Sequence, residues 1–217
     1  MKKLFFVGLL SLCALLLVSC LENGSNTQSM SGIPGIIKLD ENMKQVIMSP
    51  AFYPYPFYDS YIATVDLKED ECVLFGYTVD FNDEKNVDYQ TNGLIEGSLT
   101  SIASVTQYPC YPYMILDTAI LRENEQPIAY AVSSGGHTTY FLGRLFLFSD
   151  ITVDTKQETS WCLYYDSNLP AKEVDGKTVY SLFLRAEIAK EGVKPSINGY
   201  ATNAFDIQRF INSITTF

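Results

Sequence analysis

Three groups of side chains have the types and proximity that chemistry requires. The first is Ser133-Ser134-Gly135-Gly136-His137, which sets two hydroxyls beside the one histidine of the chain. Nucleophilic catalysis needs a serine and a base that meet in space, with an orienting acid and oxyanion donors. Neighbours on a tight turn point apart, and no G-x-S-x-G elbow is present. A hairpin histidine bonded to backbone is the expectation, and no catalytic residue is assigned. The second group is Asp80, Asn82, Asp83, Glu84 and Asp88 in one loop. Hard oxygen donors on a turn suit calcium, but the glycine and distal glutamate of an EF-hand loop are missing. A solvated acidic loop is expected. The third is Cys72, Cys110 and Cys162, widely spaced and without a C-x-x-C pair. With a single histidine this spacing makes a zinc site improbable. At most one disulfide is possible, and buried thiols acting as small hydrophobes are the preferred reading. Neither a metal nor a cofactor is expected.

The least ordinary feature is aromatic. Tyr53, Tyr55, Phe57 and Tyr58 alternate with prolines in one segment; Tyr108, Tyr111 and Tyr113 do so in another. Rigid amphipathic rings anchor protein interfaces or stack on sugars. These seven residues are therefore the candidate binding set, for a protein or a glycan. The alternative is that they wedge between two domains.

Those groups need a scaffold and an address, and the address comes first in the chain. Lys2 and Lys3 lead into an apolar run from Leu4 to Val18, closed by Leu17-Val18-Ser19-Cys20. Basic start, apolar run and small residue before a cut are the layout of a secretory signal. The run is short of the ~20 residues a spanning helix needs. Leu-x-small-Cys resembles the lipobox of bacterial lipoproteins. It implies cleavage between Ser19 and Cys20, with Cys20 acylated, by palmitate among other chains. More than one acyl chain gives lasting attachment, so the membrane is the first expected partner.

The chain carries 15 basic and 25 acidic residues, a net charge of −10. That balance argues against nucleic acid, which requires clustered Lys and Arg. Residues 1–19 read as signal peptide and 20–32 as a polar, flexible tether. A first β domain is expected over 33–110 and a second over 111–217.

Within the first domain, Cys72 to Phe81 alternates, with Val73, Phe75, Tyr77, Val79 and Phe81 on the more apolar side. Prolines 54 and 56 forbid a central strand through the first aromatic segment. The second aromatic segment is the expected domain boundary. Beyond it, short β-prone runs recur with turn signals such as Asp175-Gly176. The tail changes period: Ile207, Phe210, Ile211 and Ile214 fall at helical spacing, predicting a helix from Ala204 to Ile214. Thr202 or Asn203 is the expected cap. The fold class is thus all-β, a small barrel followed by a β-sandwich, with a short C-terminal helix.

The leader, the strand Cys72-Val-Leu-Phe-Gly-Tyr-Thr-Val-Asp80, the run Ser101-Ile102-Ala103-Ser104-Val105 and the segment His137-Thr-Thr-Tyr-Phe-Leu142 together resemble the NigD-like lipoproteins of Bacteroidota. The resemblance implies an OB-type N-terminal barrel and a C-terminal β-sandwich. It assigns no catalytic residue. The functional expectation is a lipid-anchored outer-membrane protein, at the periplasmic face or the cell surface. It would serve as a non-catalytic binding or accessory module. An immunity protein against a bacteriocin-like toxin, or a structural component of a surface assembly, is the alternative.

Overall fold

The computed structural model describes residues 26–113, 124–132 and 140–215. The first sheet is built on β1 (Thr27–Leu39), a strand long enough to serve two neighbours. Its first part pairs with β4 (Cys72–Asp80), from Thr27 opposite Asp80 to Ile36 opposite Cys72. Its last four residues pair with β2 (Gln45–Met48). The register slips between Met30 and Ile33, where Gly32 takes φ 68°, a value that favours glycine. This bulge lets the strand coil from one partner to the other. The first strand therefore begins at Thr27, six residues before the expected start of the domain. The polar residues 27–32 are tied down by ladder bonds, which polarity alone does not reveal.

Next come β3 (Phe57–Tyr58), a 3-10 turn at Ser60–Thr64, a helical turn at Tyr89–Asn92, β5 (Ile95–Glu96) and β6 (Ser98–Ser104). The sheet order is β5-β3-β2-β1-β4-β6. Its two outermost strands, β5 and β6, are consecutive in sequence and separated only by Gly97. One continuous segment therefore hydrogen-bonds both ends of the sheet and closes it into a barrel. A Cβ on Gly97 would lie 2.7 Å from the Thr78 carbonyl oxygen and 2.8 Å from Phe57 Cε2. Only glycine passes there without displacing its neighbours. Ile33, Ile37, Ile47, Phe57, Phe75, Tyr77 and Ile95 fill the interior.

The chain leaves the barrel at Val105 and enters a second sheet as β7 (Thr106–Tyr113). The passage falls five residues before the expected boundary at 110. The remaining strands are β8 (Ile128–Val132), β9 (Tyr140–Phe141), β10 (Arg144–Thr155), β11 (Glu158–Asp166), β12 (Lys172–Val174), β13 (Lys177–Val179), β14 (Leu182–Lys190) and β15 (Val193–Asp206). Their main order is β14-β11-β7-β15-β10-β8, and β12 and β13 form a separate exposed hairpin.

β7 is the strand that joins two leaves. Thr106–Pro109 pairs with β15, whereas Cys110–Tyr113 pairs with β11, both parallel. The second aromatic segment is thus an internal strand and not a linker. Pairing each half along one edge only leaves positions whose N–H is not called on, so Pro109 and Pro112 are tolerated. Trp161, Leu163, Tyr165 and Ala186 of one leaf meet Ile151 and Phe205 of the other to form the second core.

The C-terminal helix, Gln208–Thr215, covers that core with Ile207 and Phe210 buried and Ile211 and Ile214 packed beside them. The expected face is right and the expected start is four residues early. Residues 204–206 finish β15, and the Asp206 carboxylate accepts from the Gln208 N–H at 3.0 Å. Asp206, and neither Thr202 nor Asn203, is the residue that tethers the first turn.

Candidate functional site

Of the expected aromatic set, Phe57 is fully buried among Phe52, Phe75 and Tyr77 and is out of reach of any ligand. Tyr55 is half-buried, edge-on to Tyr89 at 5.2 Å. Tyr58 is half-buried beneath the Lys44 ammonium, 5.3 Å from its ring. Tyr108 stacks on Phe205 at 5.9 Å against the second core. Two rings of the set are open to solvent: Tyr53, 59 % exposed, and Tyr111, 44 % exposed. They belong to different domains, and Tyr53 sits edge-on to Phe141 at 5.6 Å. Tyr113 lies on β7, and its side chain lies outside the described residues. Ser19, Cys20 and Ser133–His137 lie outside them as well.

The acidic loop proves to be a structured turn. The Asp80 carboxylate accepts from the Asn82 N–H at 2.9 Å, and that of Asp83 from the Lys85 N–H at 3.0 Å. Its organiser is the buried Asn86, which sequence reading missed. The Asn86 amide donates to the Asp80 and Glu96 carbonyls and accepts from the Glu96 N–H. No cluster of metal-binding side chains occurs among the described residues.

What the fold does assemble is a groove between the domains, of about 730 Å³. Its first wall is the charged turn that enters β4: Asp66, Lys68, Glu69, Asp70 and Glu71. Its second is the crossover from Ser104 to Gln107, with Arg144 at the start of β10. Through Val105 the groove meets an apolar cluster that joins Ile36 and Cys72 of the barrel to Phe141, Phe146 and Ala204.

Gln107 is the clasp of this groove. Its carbonyl oxygen accepts from Arg144 Nε at 3.2 Å and from the Cys72 thiol at 3.3 Å. Its amide donates to the Asp70 carbonyl at 3.3 Å. Arg144 also pairs with Asp206 at 2.9 Å, so the guanidinium is held in place. On the barrel side, Lys38 pairs with Asp70. The Ser104 hydroxyl and the Lys68 N–H both donate to the Glu71 carboxylate. These donors hold the Glu71 carboxyl below its ordinary value of 4.5. Burial pushes the Cys72 thiol up to about 11, and that of Cys110 up to about 12. Such thiols stay protonated and are poor nucleophiles. Cys72, Cys110 and Cys162 are all unpaired, with Cys162 half-buried. The groove offers charge and hydrogen-bond acceptors for recognition.

The topology of the first domain gives its fold. Its strands, closed through Gly97 with the 3-10 turn between β3 and β4, have the form of an OB barrel. Residues 24–103 match the lipoprotein OB domain family. Beyond the OB domain, most of the chain resembles solved structures of bacterial proteins. An uncharacterised Parabacteroides merdae protein is 26 % identical, with 86 % of this chain and 80 % of that chain covered at a TM-score of 0.67. A Bacteroides fragilis protein described as a lipoprotein is 13 % identical, covering 87 % and 82 %, at 0.59. A Parabacteroides distasonis protein described as toxin related is 10 % identical, covering 83 % and 78 %, at 0.50. The last two speak to the fold alone. A comparison with curated proteins gives no match. Among the described residues no helix is long and apolar enough to cross a membrane.

Proposed function

We propose that the protein is a non-catalytic binding lipoprotein of the outer membrane, anchored through acylated Cys20. In this reading it holds a protein partner in the groove between the OB domain and the sandwich. The observation that carries it is a groove walled by both domains, with its polar side chains fixed by the Gln107 clasp before any partner arrives. Preorganised polar groups lower the ordering cost of association. Asp66, Glu69 and Asp70 line one wall in a chain of net charge −10, which suits a partner segment bearing Lys or Arg.

The test uses the mature chain from Cys20 onward, immobilised and exposed to envelope extract, against the variant Asp66→Lys/Glu69→Lys. Both carboxylates are on exposed residues, so the fold should survive. A partner captured by the wild type, lost from the variant and weakened by raised salt supports the groove. Equal capture by the two overturns it. Anchoring is read separately: wild-type protein should incorporate labelled palmitate in cells and partition into detergent, and Cys20→Ala should do neither.

Neutralisation of a toxin is the second reading. It is favoured by the same acidic wall and by the likeness to the protein described as toxin related. Binding of a basic toxin at the groove would distinguish it from a housekeeping partner. A glycan reading rests on Tyr53 and Tyr111; no saccharide bound by the wild type would remove it, and binding that survives Tyr53→Ala and Tyr111→Ala would remove these rings as its site.

A further inference from the structure

β15 is paired along its whole length on one edge and only at its end on the other. From Val193 to Asp206 it pairs with β10, whereas β7 takes its second edge only at Asn203–Asp206. Among the described residues, the second edge from Val193 to Thr202 has no ladder partner. Natural sheets guard such edges with charge, proline or a bulge. The first part is so guarded: Lys194 donates to the Asp154 carboxylate at 2.9 Å, Pro195 has no N–H to offer, and the register slips at Asp154/Thr155. The next six residues, Ile197-Asn-Gly-Tyr-Ala-Thr202, contain no charge and no proline. Ile197 is 53 % exposed and Tyr200 is 89 % exposed. A strand edge with bare backbone, an isoleucine and a tyrosine in open solvent is built to accept another strand.

We infer that this edge pairs with the same edge of a second copy, giving a two-fold dimer through an antiparallel β15–β15 ladder. Charge selects the occupant. Two chains of net charge −10 repel over most of their surfaces, and this neutral stretch is where their backbones can meet. Symmetry restricts the register. In an antiparallel ladder facing residues both turn their N–H and C=O toward the partner or both away, so an identical strand pairs with itself only about a residue. Centred on Tyr200, the ladder sets the two tyrosine rings opposite one another, a favourable cross-strand pair. Centred on Gly199, it sets each Tyr200 opposite the other copy's Asn198. The Gly199 register sets Ile197 opposite Ala201, so Ile197 and Tyr200 both enter the ladder; the Tyr200 register runs only from Asn198 to Thr202, because β7 holds the edge from Asn203. The inference stands apart from the groove, which lies at the other end of β15 beside Ala204 and Asp206.

The test is sedimentation velocity of the soluble chain from Thr27 onward between about 1 and 200 μM, with hydrogen exchange of the β15 amides at both limits. The expected result is a concentration-dependent dimer in which exchange at residues 197–202 slows at least tenfold. The double variant Ile197→Lys/Tyr200→Lys should stay monomeric across the range with an unchanged circular dichroism spectrum. A monomer at 200 μM with fast exchange along β15 overturns the inference. So does a dimer that persists in the variant, or one that leaves the amides of 197–202 unprotected.

Discussion

Glu71 shows how much of the groove depends on single proton sites. Its carboxylate holds the Ser104 hydroxyl and the Lys68 N–H, and both donors favour the charged form. The folded pKa lies below the ordinary 4.5, so the stability it contributes is present above pH 4.5 and is lost as pH falls through the folded value. A side-chain NMR titration should place Glu71 below 4.5, and Glu71→Gln should flatten the dependence of stability on pH between about 4.5 and the folded pKa. An unshifted midpoint would mean that the Ser104 hydroxyl and the Lys68 N–H do not hold this carboxylate. The thiols make the complementary case. With Cys72 near 11 and Cys110 near 12, a thiol reagent at pH 8 should leave both unmodified in the native protein and label them only on unfolding. Mass spectrometry of the labelled peptides reads this directly. The burial of Cys72 and Cys110 follows from apolar neighbours in the sequence. Gln107 and Asn86 were not legible, because an organising amide is recognised by the partners around it and not by its place in the sequence. Those partners come from chain up to 37 residues away.

At the scale of elements, the short β5–β6 segment decides whether the first sheet is open or closed. Asp59 supports the closure from the side. Its carboxylate accepts from the Tyr61 N–H at the start of the 3-10 turn and from the Leu99 N–H of β6 at 2.6 Å. With Thr78 and Phe57 within 3 Å of a Cβ at position 97, Gly97→Ala forces atoms into occupied space. The expected cost is about 1–3 kcal/mol, seen as a fall in melting midpoint of roughly 2–4 °C per kcal/mol. Gly199→Ala, whose Cβ would meet nothing within 4 Å, is the control and should leave the midpoint nearly unchanged. Equal effects would mean that closure at Gly97 is not tight. The alternation of β4 was readable, since period-2 burial is a local property: Val73, Phe75, Tyr77 and Val79 are the buried face as expected. β7 was not. Its prolines read as a break, and the pairing of each half with a different neighbour is a property of the assembled sheets. The aromatic segment around Phe57 misled for a related reason. Prolines beside a ring suggest display, yet Phe57 is turned inward by its ladder to Ile47 and Ile95.

For the whole molecule the question is whether two domains behave as one. The apolar seam beside the groove answers through Phe146, which is fully buried and belongs to a cluster drawn from both sheets. Cys72 and Ile36 point out of the barrel, away from its own core, and would lie in water if the sandwich were absent. Each domain therefore covers apolar surface of the other, and unfolding of one exposes that surface. Such a shared seam couples the two transitions, whereas a wet, polar contact would let them separate. Phe146→Ala removes the fully buried one of the seam's two phenylalanines, at an expected cost of about 3–5 kcal/mol. Removing the Tyr53 ring from Phe141 should cost less, about 0.5–1.5 kcal/mol for an aromatic pair. Calorimetry should show one cooperative transition for the wild type and for Tyr53→Ala, and two resolved transitions for Phe146→Ala. A single transition that merely shifts in Phe146→Ala would mean that the cores are joined by β7 alone and that the seam adds little. The same variant reports on function, because the groove keeps its shape only while both walls hold their places. A loss of partner capture in Phe146→Ala, with each domain still folded below its own transition, would tie recognition to the junction and not to either domain.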